Sequence, residues 1–346
     1  MWTNYIKNFG GDKFNRLFQK MSDCAQRKKP WFRGTVFIGT KPLYIECHAK
    51  LLAEKIDSYF FKVIPNKYID GAKKLYILCD GIDNFIDRPD FGITNVFWIG
   101  GDIYKKPDMI VENSCIFIHD DNTFFISGTS REQDNFYNLG ENHLLMRFFG
   151  YIFDTTENMV LHGAVVGYKD YGVFISGLSG YGKSTLSAYC ATMGMKFVGD
   201  DRIALGMHNG DIVANPIYTT LSLAQIIPGI KYSKIITQEN CDKKTFVLDK
   251  SFISENVKIR AIIEPQKSES GHPVICPAPP GPILTRICSD YSWFSLLTRS
   301  LNPLNDYKKI SGLLGAGDCF TIKLSESVID NARAIFNLAK DGGKDV

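Results

Sequence analysis

The densest chemistry in the chain lies in eight consecutive residues, Gly177-Leu178-Ser179-Gly180-Tyr181-Gly182-Lys183-Ser184. They fit the pattern G-x-x-x-x-G-K-[ST] at every fixed position. Gly177, Gly180 and Gly182 let the backbone wrap closely and turn its N–H groups inward, toward phosphate oxygens. Lys183 has the reach to meet β- and γ-phosphates, and Ser184 can offer its hydroxyl to Mg²⁺. Ser179, Tyr181 and Thr185 complete the stretch expected to touch the nucleotide. The apolar run Val173-Phe174-Ile175 comes just before, and a helical pattern over 184–193 follows, closed by Gly194. A strand, a glycine loop and a helix N-terminus in that order form an anion site, so ATP and Mg²⁺ are the expected cofactors.

A second group of side chains belongs with the loop. Asp200-Asp201 closes the short strand pattern Lys196-Phe197-Val198-Gly199. Carboxyl ends of strands converge on the phosphate loop in sheets of this kind. A carboxylate there can serve the metal or accept a proton from an attacking hydroxyl, and two neighbouring acids can divide those tasks. Taken alone, Gly-Asp-Asp is also ordinary turn chemistry; the loop upstream favours function. His162, before Gly163, is the kind of lone histidine that is ordinarily structural.

In the order Leu161-His162-Gly163, Gly177 to Ser184, and Gly199-Asp200-Asp201-Arg202, the chain resembles the catalytic domain of the HPr kinase/phosphorylases. The resemblance extends loosely to Ile262-Ile263-Glu264-Pro265 and the last helix, covering about residues 141–346. Kinases that phosphorylate lasso-peptide precursors are similar too, and they also carry an amino-terminal domain. The resemblance implies a P-loop kinase fold shared with phosphoenolpyruvate carboxykinase, built on a mixed sheet. It further implies Asp200 as base for the acceptor hydroxyl, Asp201 as an aid to the metal or to orientation, and His162 lining the phosphoryl site. Self-association into a homo-oligomer is a further expectation from the resemblance.

The chain departs from the family at one point. The family's Glu-x-Arg-Gly stretch corresponds here to Val213-Ala214-Asn215-Pro216, which has no carboxylate. An expected metal ligand is missing, which argues against HPr as acceptor and against the phosphorylase reaction; Glu264 or another distant acid is left to replace it. Arg202, Lys243, Lys244 and Arg286 are candidate cations for the transferring phosphate, though each has the character of a surface residue.

The positioning elements follow from pattern. The fold class expected is α/β, a P-loop kinase domain over 139–346 preceded by a smaller α+β domain over 1–138 that is suited to acceptor recognition. Residues 1–24 carry an amphipathic helical pattern through Tyr5, Phe9, Phe14, Leu17, Phe18 and Met21. Strand is expected over 34–47 and 74–79, helix over 48–60, and strand-like pattern over 95–127. A helix over 141–153 leads into the second half, where strands are expected over 159–166, 172–176, 196–198, 258–263 and 319–323, with a final helix over 326–340. Trp31-Phe32-Arg33 could meet a partner, but aromatic residues at a strand start usually join a core.

Composition narrows the partners. A net charge of +3 provides no strong field for nucleic acid or an anionic membrane. The basic run Arg27-Lys28-Lys29 is short and reads as a solvated surface. The densest apolar stretch, 143–153, contains Arg147 and is too short to span a bilayer. Nine cysteines, none spaced Cys-x-x-Cys, suit reduced thiols in a cytoplasmic protein. The expected activity is ATP-dependent transfer of a phosphoryl group to a hydroxyl, with serine of a peptide or protein favoured as acceptor. The alternatives are a small-metabolite kinase and a non-catalytic module that senses ATP.

Overall fold

A computed structural model describes residues 11–80, 85, 97–99, 109–112, 115–120, 122–128, 158–178, 180–236, 243–268, 271–295, 308, 310–312, 315 and 317–342. The chain forms two compact units, Met1–Tyr151 and Ile152–Val346, apart from short exchanges at Ile38–Thr40 and Ser295–Leu301. The boundary expected near residue 138 and the helix expected over 141–153 lie outside the described residues.

The first unit is one mixed sheet with helices. Its elements are α1 (Gly11–Arg27), β1 (Phe32–Ile38), β2 (Lys41–Cys47), α2 (Lys50–Tyr59), β3 (Val63–Pro65), β4 (Lys73–Leu78), β5 (Phe97–Ile99), β6 (Met109–Glu112), β7 (Cys115–His119) and β8 (Thr123–Gly128). The strand order is β3-β1-β2-β4-β8-β7-β6-β5. β2, β4 and β8 run parallel, while β5 to β8 form an antiparallel series. Leu17, Met21 and Ala25 recur at helical spacing on α1 and are buried against Leu78, Ile116, Ile118 and Phe125. Phe18 meets Phe125 edge-to-face, with centroids 5.0 Å apart. Tyr5 and Phe9 lie outside the described residues.

The sequence pattern predicts one strand over 34–47, but the chain makes two, because Gly39 takes φ +60 and turns it. Trp31 also differs from expectation. It is 63% exposed, since it sits on the link between α1 and β1 rather than on an inward position of the strand.

The second unit is likewise mixed α/β. It contains β9 (Asn158–His162), β10 (Ala164–Tyr168), β11 (Tyr171–Ile175), α3 (Lys183–Thr192), β12 (Lys196–Gly199), β13 (Arg202–His208), β14 (Asp211–Pro216), β15 (Thr220–Leu223), β16 (Tyr232–Ile236), β17 (Lys244–Leu248), β18 (Val257–Lys267), β19 (Val274–Pro277), α4 (Pro280–Ser295), β20 (Asp318–Leu324) and α5 (Val328–Lys340). The main sheet runs β12-β10-β11-β18-β14-β13-β9, with β20 joined to β18 and β19 to β20. β11, β18 and β20 are parallel; the other pairings in this sheet are antiparallel. β15-β17-β16 make a smaller antiparallel sheet.

The alternation on β11 divides two cores. Val173 and Ile175 pack with Leu186 and Cys190 of α3 and with Ala332, Ile335 and Leu338 of α5. Phe174 faces the other way, into a cluster with Ile203, Leu205, Ile262, Ile283 and Ile287. The strand expected over 159–166 is broken at Gly163. A Cβ there would come within 2.7 Å of the Phe174 ring and 2.9 Å of the Ile175 carbonyl oxygen, so only glycine lets the strands approach. The last helix begins later than expected, after Ser327, whose hydroxyl accepts the Asp330 N–H. Among the described residues no helix is long and apolar enough to cross a membrane.

Candidate functional site

The glycine loop joins β11 to α3. Gly177, Gly180 and Gly182 all have positive φ, at 133°, 84° and 78°. An added Cβ at Gly180 or Gly182 would meet nothing within 4 Å, so the demand there is for backbone conformation, not for space. Gly182 is the N-cap of α3 in left-handed conformation; no side chain caps this helix and no acid stands in its first turn. An N-terminus arranged like this suits an anion. Ser179 lies outside the described residues; Tyr181, Ser184 and Thr185 are half-buried.

Lys183 is buried at 7% exposure, and its ammonium donates to the carbonyls of Gly177 at 2.8 Å and Leu178 at 3.1 Å. A buried cation needs such partners, and triphosphate oxygens would serve as well as carbonyls. The chain thus carries a charge preset beside the loop. The side chains fit ATP–Mg²⁺: the positive-φ glycines, the uncapped helix and Lys183 suit phosphates, and Ser184 with an adjacent carboxylate suits Mg²⁺. Mg²⁺ is commonly held by one or two carboxylates together with substrate phosphates. Accordingly, no cluster of three or more His, Cys, Asp or Glu is needed, and none occurs among the described residues.

Asp200 follows β12, across α3 from the loop, and is buried. The Ser184 hydroxyl and the Ser222 backbone N–H both donate to its carboxylate. Burial pushes its pKa up to about 6; the Ser184 hydrogen bond opposes this and the neighbouring Asp201 charge adds to it. The loop and the acid pair therefore meet through Ser184.

Asp201 points elsewhere. It has φ +64, and the Arg202 N–H donates to the Asp200 carbonyl at 2.7 Å, closing a three-residue turn. This positive-φ γ-turn is the rare, strained form. It directs the two carboxylates to different neighbours. One oxygen of Asp201 lies 3.6 Å from His162 Nε2 and 3.7 Å from Arg202 Nη1. The antiparallel register explains the meeting, since His162 of β9 lies opposite Arg202 of β13. The Gly163 N–H donates to the Asp201 carbonyl at 3.3 Å, tying the same corner.

The candidate cations separate. Arg202 has the character of a surface residue in sequence, but it is buried at 4%, because it opens β13 beside the acid pair and donates to the Asp201 carbonyl. Lys243 and Lys244 are exposed. Arg286 of α4 pairs with Glu264 at 2.7 Å. Glu264 is buried in the second half of β18, with its Cγ 3.9 Å from the point a Cβ on Gly177 would occupy. The acid left as a substitute for the missing family glutamate thus stands beside the start of the loop. Two neighbours escape sequence reading. Ser222 contributes only a backbone N–H, which no side-chain pattern announces. Tyr218 is fully buried, its hydroxyl held well above the usual phenol range by burial and then by Asp201.

No protein-family model matches the chain, and no curated protein matches it by sequence. Among solved structures the chain has a distant likeness to the Hpr(Ser) kinase/phosphatase from Coxiella burnetii. That likeness is 15% identity and a TM-score of 0.31, covering 53% of this chain and 95% of that chain.

Proposed function

We propose that the second unit is an ATP-dependent kinase of the HPr kinase-like type, acting on the serine hydroxyl of a peptide or protein. The observation that carries this reading is the placement of the buried Asp200 beside Ser184, the residue that follows the glycine loop and Lys183. A module that only sensed ATP would have no need of a buried acid, whose charge is costly to hold. A small-metabolite acceptor is the variant of the reading that leaves the same chemistry in place.

The division of labour follows from the side chains. Backbone N–H groups of the loop and Lys183 hold the phosphates. Ser184 and Asp201 would hold Mg²⁺, which would supply charge neutralisation to the phosphates. Asp200 takes the proton of the acceptor hydroxyl as its oxygen bonds to the γ-phosphorus and the bond to the β-phosphate oxygen opens. His162 and Arg202 face the acid pair and offset charge on the transferring group. A second division has its own support: the Ser184 hydrogen bond favours Asp200 as the metal ligand, leaving Asp201 beside His162 as the base.

The test is ATP binding by calorimetry with and without Mg²⁺, in wild type and Lys183→Ala, followed by transfer to serine peptides. Binding that drops on the order of 10²-fold in the variant is expected. Equal binding by both proteins, or none by either, would remove the kinase reading.

A further inference from the structure

We propose that the first unit carries a docking groove for an acidic, aromatic-containing peptide segment. The groove has a volume of about 700 Å³ and is lined chiefly by the link between α1 and β1, together with Glu46, Asn66 and Tyr76. Arg27, Lys28, Lys29 and Arg33 line it, and Trp31 stands among them. The basic run is solvent-exposed, as the sequence presents it, and it also borders this cavity.

Charge and rigidity define the occupant. Lys28 is paired with Asp80 at 2.7 Å and Arg33 with Glu46 at 3.1 Å, which fixes the wall without cancelling it. Four lining cations exceed those two acids, so the surplus is positive. Lys50 adds its ammonium over the Trp31 ring, 5.1 Å from the centroid. The Trp31 N–H donates to the Cys47 carbonyl at 2.8 Å, so the link is held against β2. A large exposed aromatic on a pinned backbone can anchor a partner at low entropic cost.

Three classes of anion could answer this charge. A small anion needs concentrated, desolvated donors, whereas the Lys28 and Arg33 side chains are about half exposed and would be screened by solvent. A nucleic acid would bring its phosphates against Glu46 and Asp80, and of the two lining aromatics, Trp31 and Tyr76, Trp31 is the exposed one. A peptide avoids both problems, since spaced carboxylates can meet separate cations, backbone N–H groups can meet Glu46, and an apolar side chain can pack on Trp31. The kinase reading is used only for the role, namely that the docked segment belongs to the acceptor.

The test uses the full chain without nucleotide and a fluorescein-labelled peptide of glutamates interrupted by phenylalanines, read by fluorescence anisotropy. Wild type should bind it and should not bind the glutamine version of the same peptide. Arg27→Glu with Lys29→Glu should weaken binding about tenfold or more. Trp31→Ala should weaken it several-fold with no change of charge. Both variants should keep the wild-type circular dichroism spectrum and wild-type ATP binding, which separates loss of the groove from loss of the fold. No binding by wild type, or unchanged binding by both variants, overturns the proposal. Tighter binding of an oligouridylate would reassign the groove to nucleic acid, and displacement by inorganic phosphate would reassign it to a small anion; either overturns it. Lys183→Ala should leave peptide binding intact, so failure of the kinase reading and failure of the groove are told apart.

Discussion

The glycine loop of the second unit and the basic groove of the first present charge in opposite ways. Around the loop and the acid pair the charged groups are few and mostly buried: Lys183, Asp200 and Arg202 are each under 10% exposed, while Asp201 is half-buried. Around the groove the cations are more numerous and largely solvated. Burial raises the worth of every interaction and the cost of every mismatch, which suits bond-making. Solvated charge is weaker and more forgiving, which suits capture of a flexible partner.

The sharpest way to break this contrast is to neutralise the buried acid. Asp200→Asn should lower turnover by about 10²–10⁴-fold while ATP binding survives. A turnover loss of less than a few-fold would show that the buried pair is structural.

The pH profile comes next. With a folded pKa of about 6, kcat/KM should fall roughly tenfold per unit below that midpoint and level off above it. The variant should lack this limb. The stability effect has the opposite sense. Folding raises this pKa from 3.8, so the folded form keeps a proton that the unfolded chain has released. The contribution of Asp200 is most favourable below 3.8 and is lost as pH rises through about 6. Chemical unfolding of wild type and Asp200→Asn across that interval should show the two curves diverging.

A smaller effect separates the two acids. Asp201→Asn should reduce the Mg²⁺-dependent part of ATP binding about tenfold, more than Asp200→Asn does. The reverse ranking would exchange their roles. The smallest effect concerns screening. Raising salt from low to physiological strength should weaken acidic-peptide binding several-fold, yet barely move the acid limb of the rate profile, because the group that sets it is buried.

How much was legible in sequence follows the same line. The loop's conformation is legible because glycines at fixed positions between an apolar strand and a helix demand it, and the place of the acid pair because it ends the next strand. The second unit's strand–loop–helix core, Val173 to Met193, also matched its pattern. Arg202 was misjudged because nothing local reveals that β9 lies opposite it. His162 entered only through a resemblance, since its meaning depends on that same pairing. Trp31 was misjudged for the converse reason: its neighbours look like a strand start, but the helix before it ends too soon to cover it. The breaks at Gly39 and Gly163 were missed because a glycine inside an apolar run does not announce whether it packs closely or turns.

The turn at Asp201 carries a consequence for how this protein can change. A residue with a Cβ is held at φ +64 there, where glycine or asparagine would rest more comfortably. Substitution toward comfort at position 201 would make the chain more durable and at the same time remove the carboxylate that faces His162. On the proposed kinase reading, selection for robustness and selection for chemistry pull this one position in different directions. On that reading, a stabilised variant found by screening on thermal endurance alone should often be altered here, with turnover lowered.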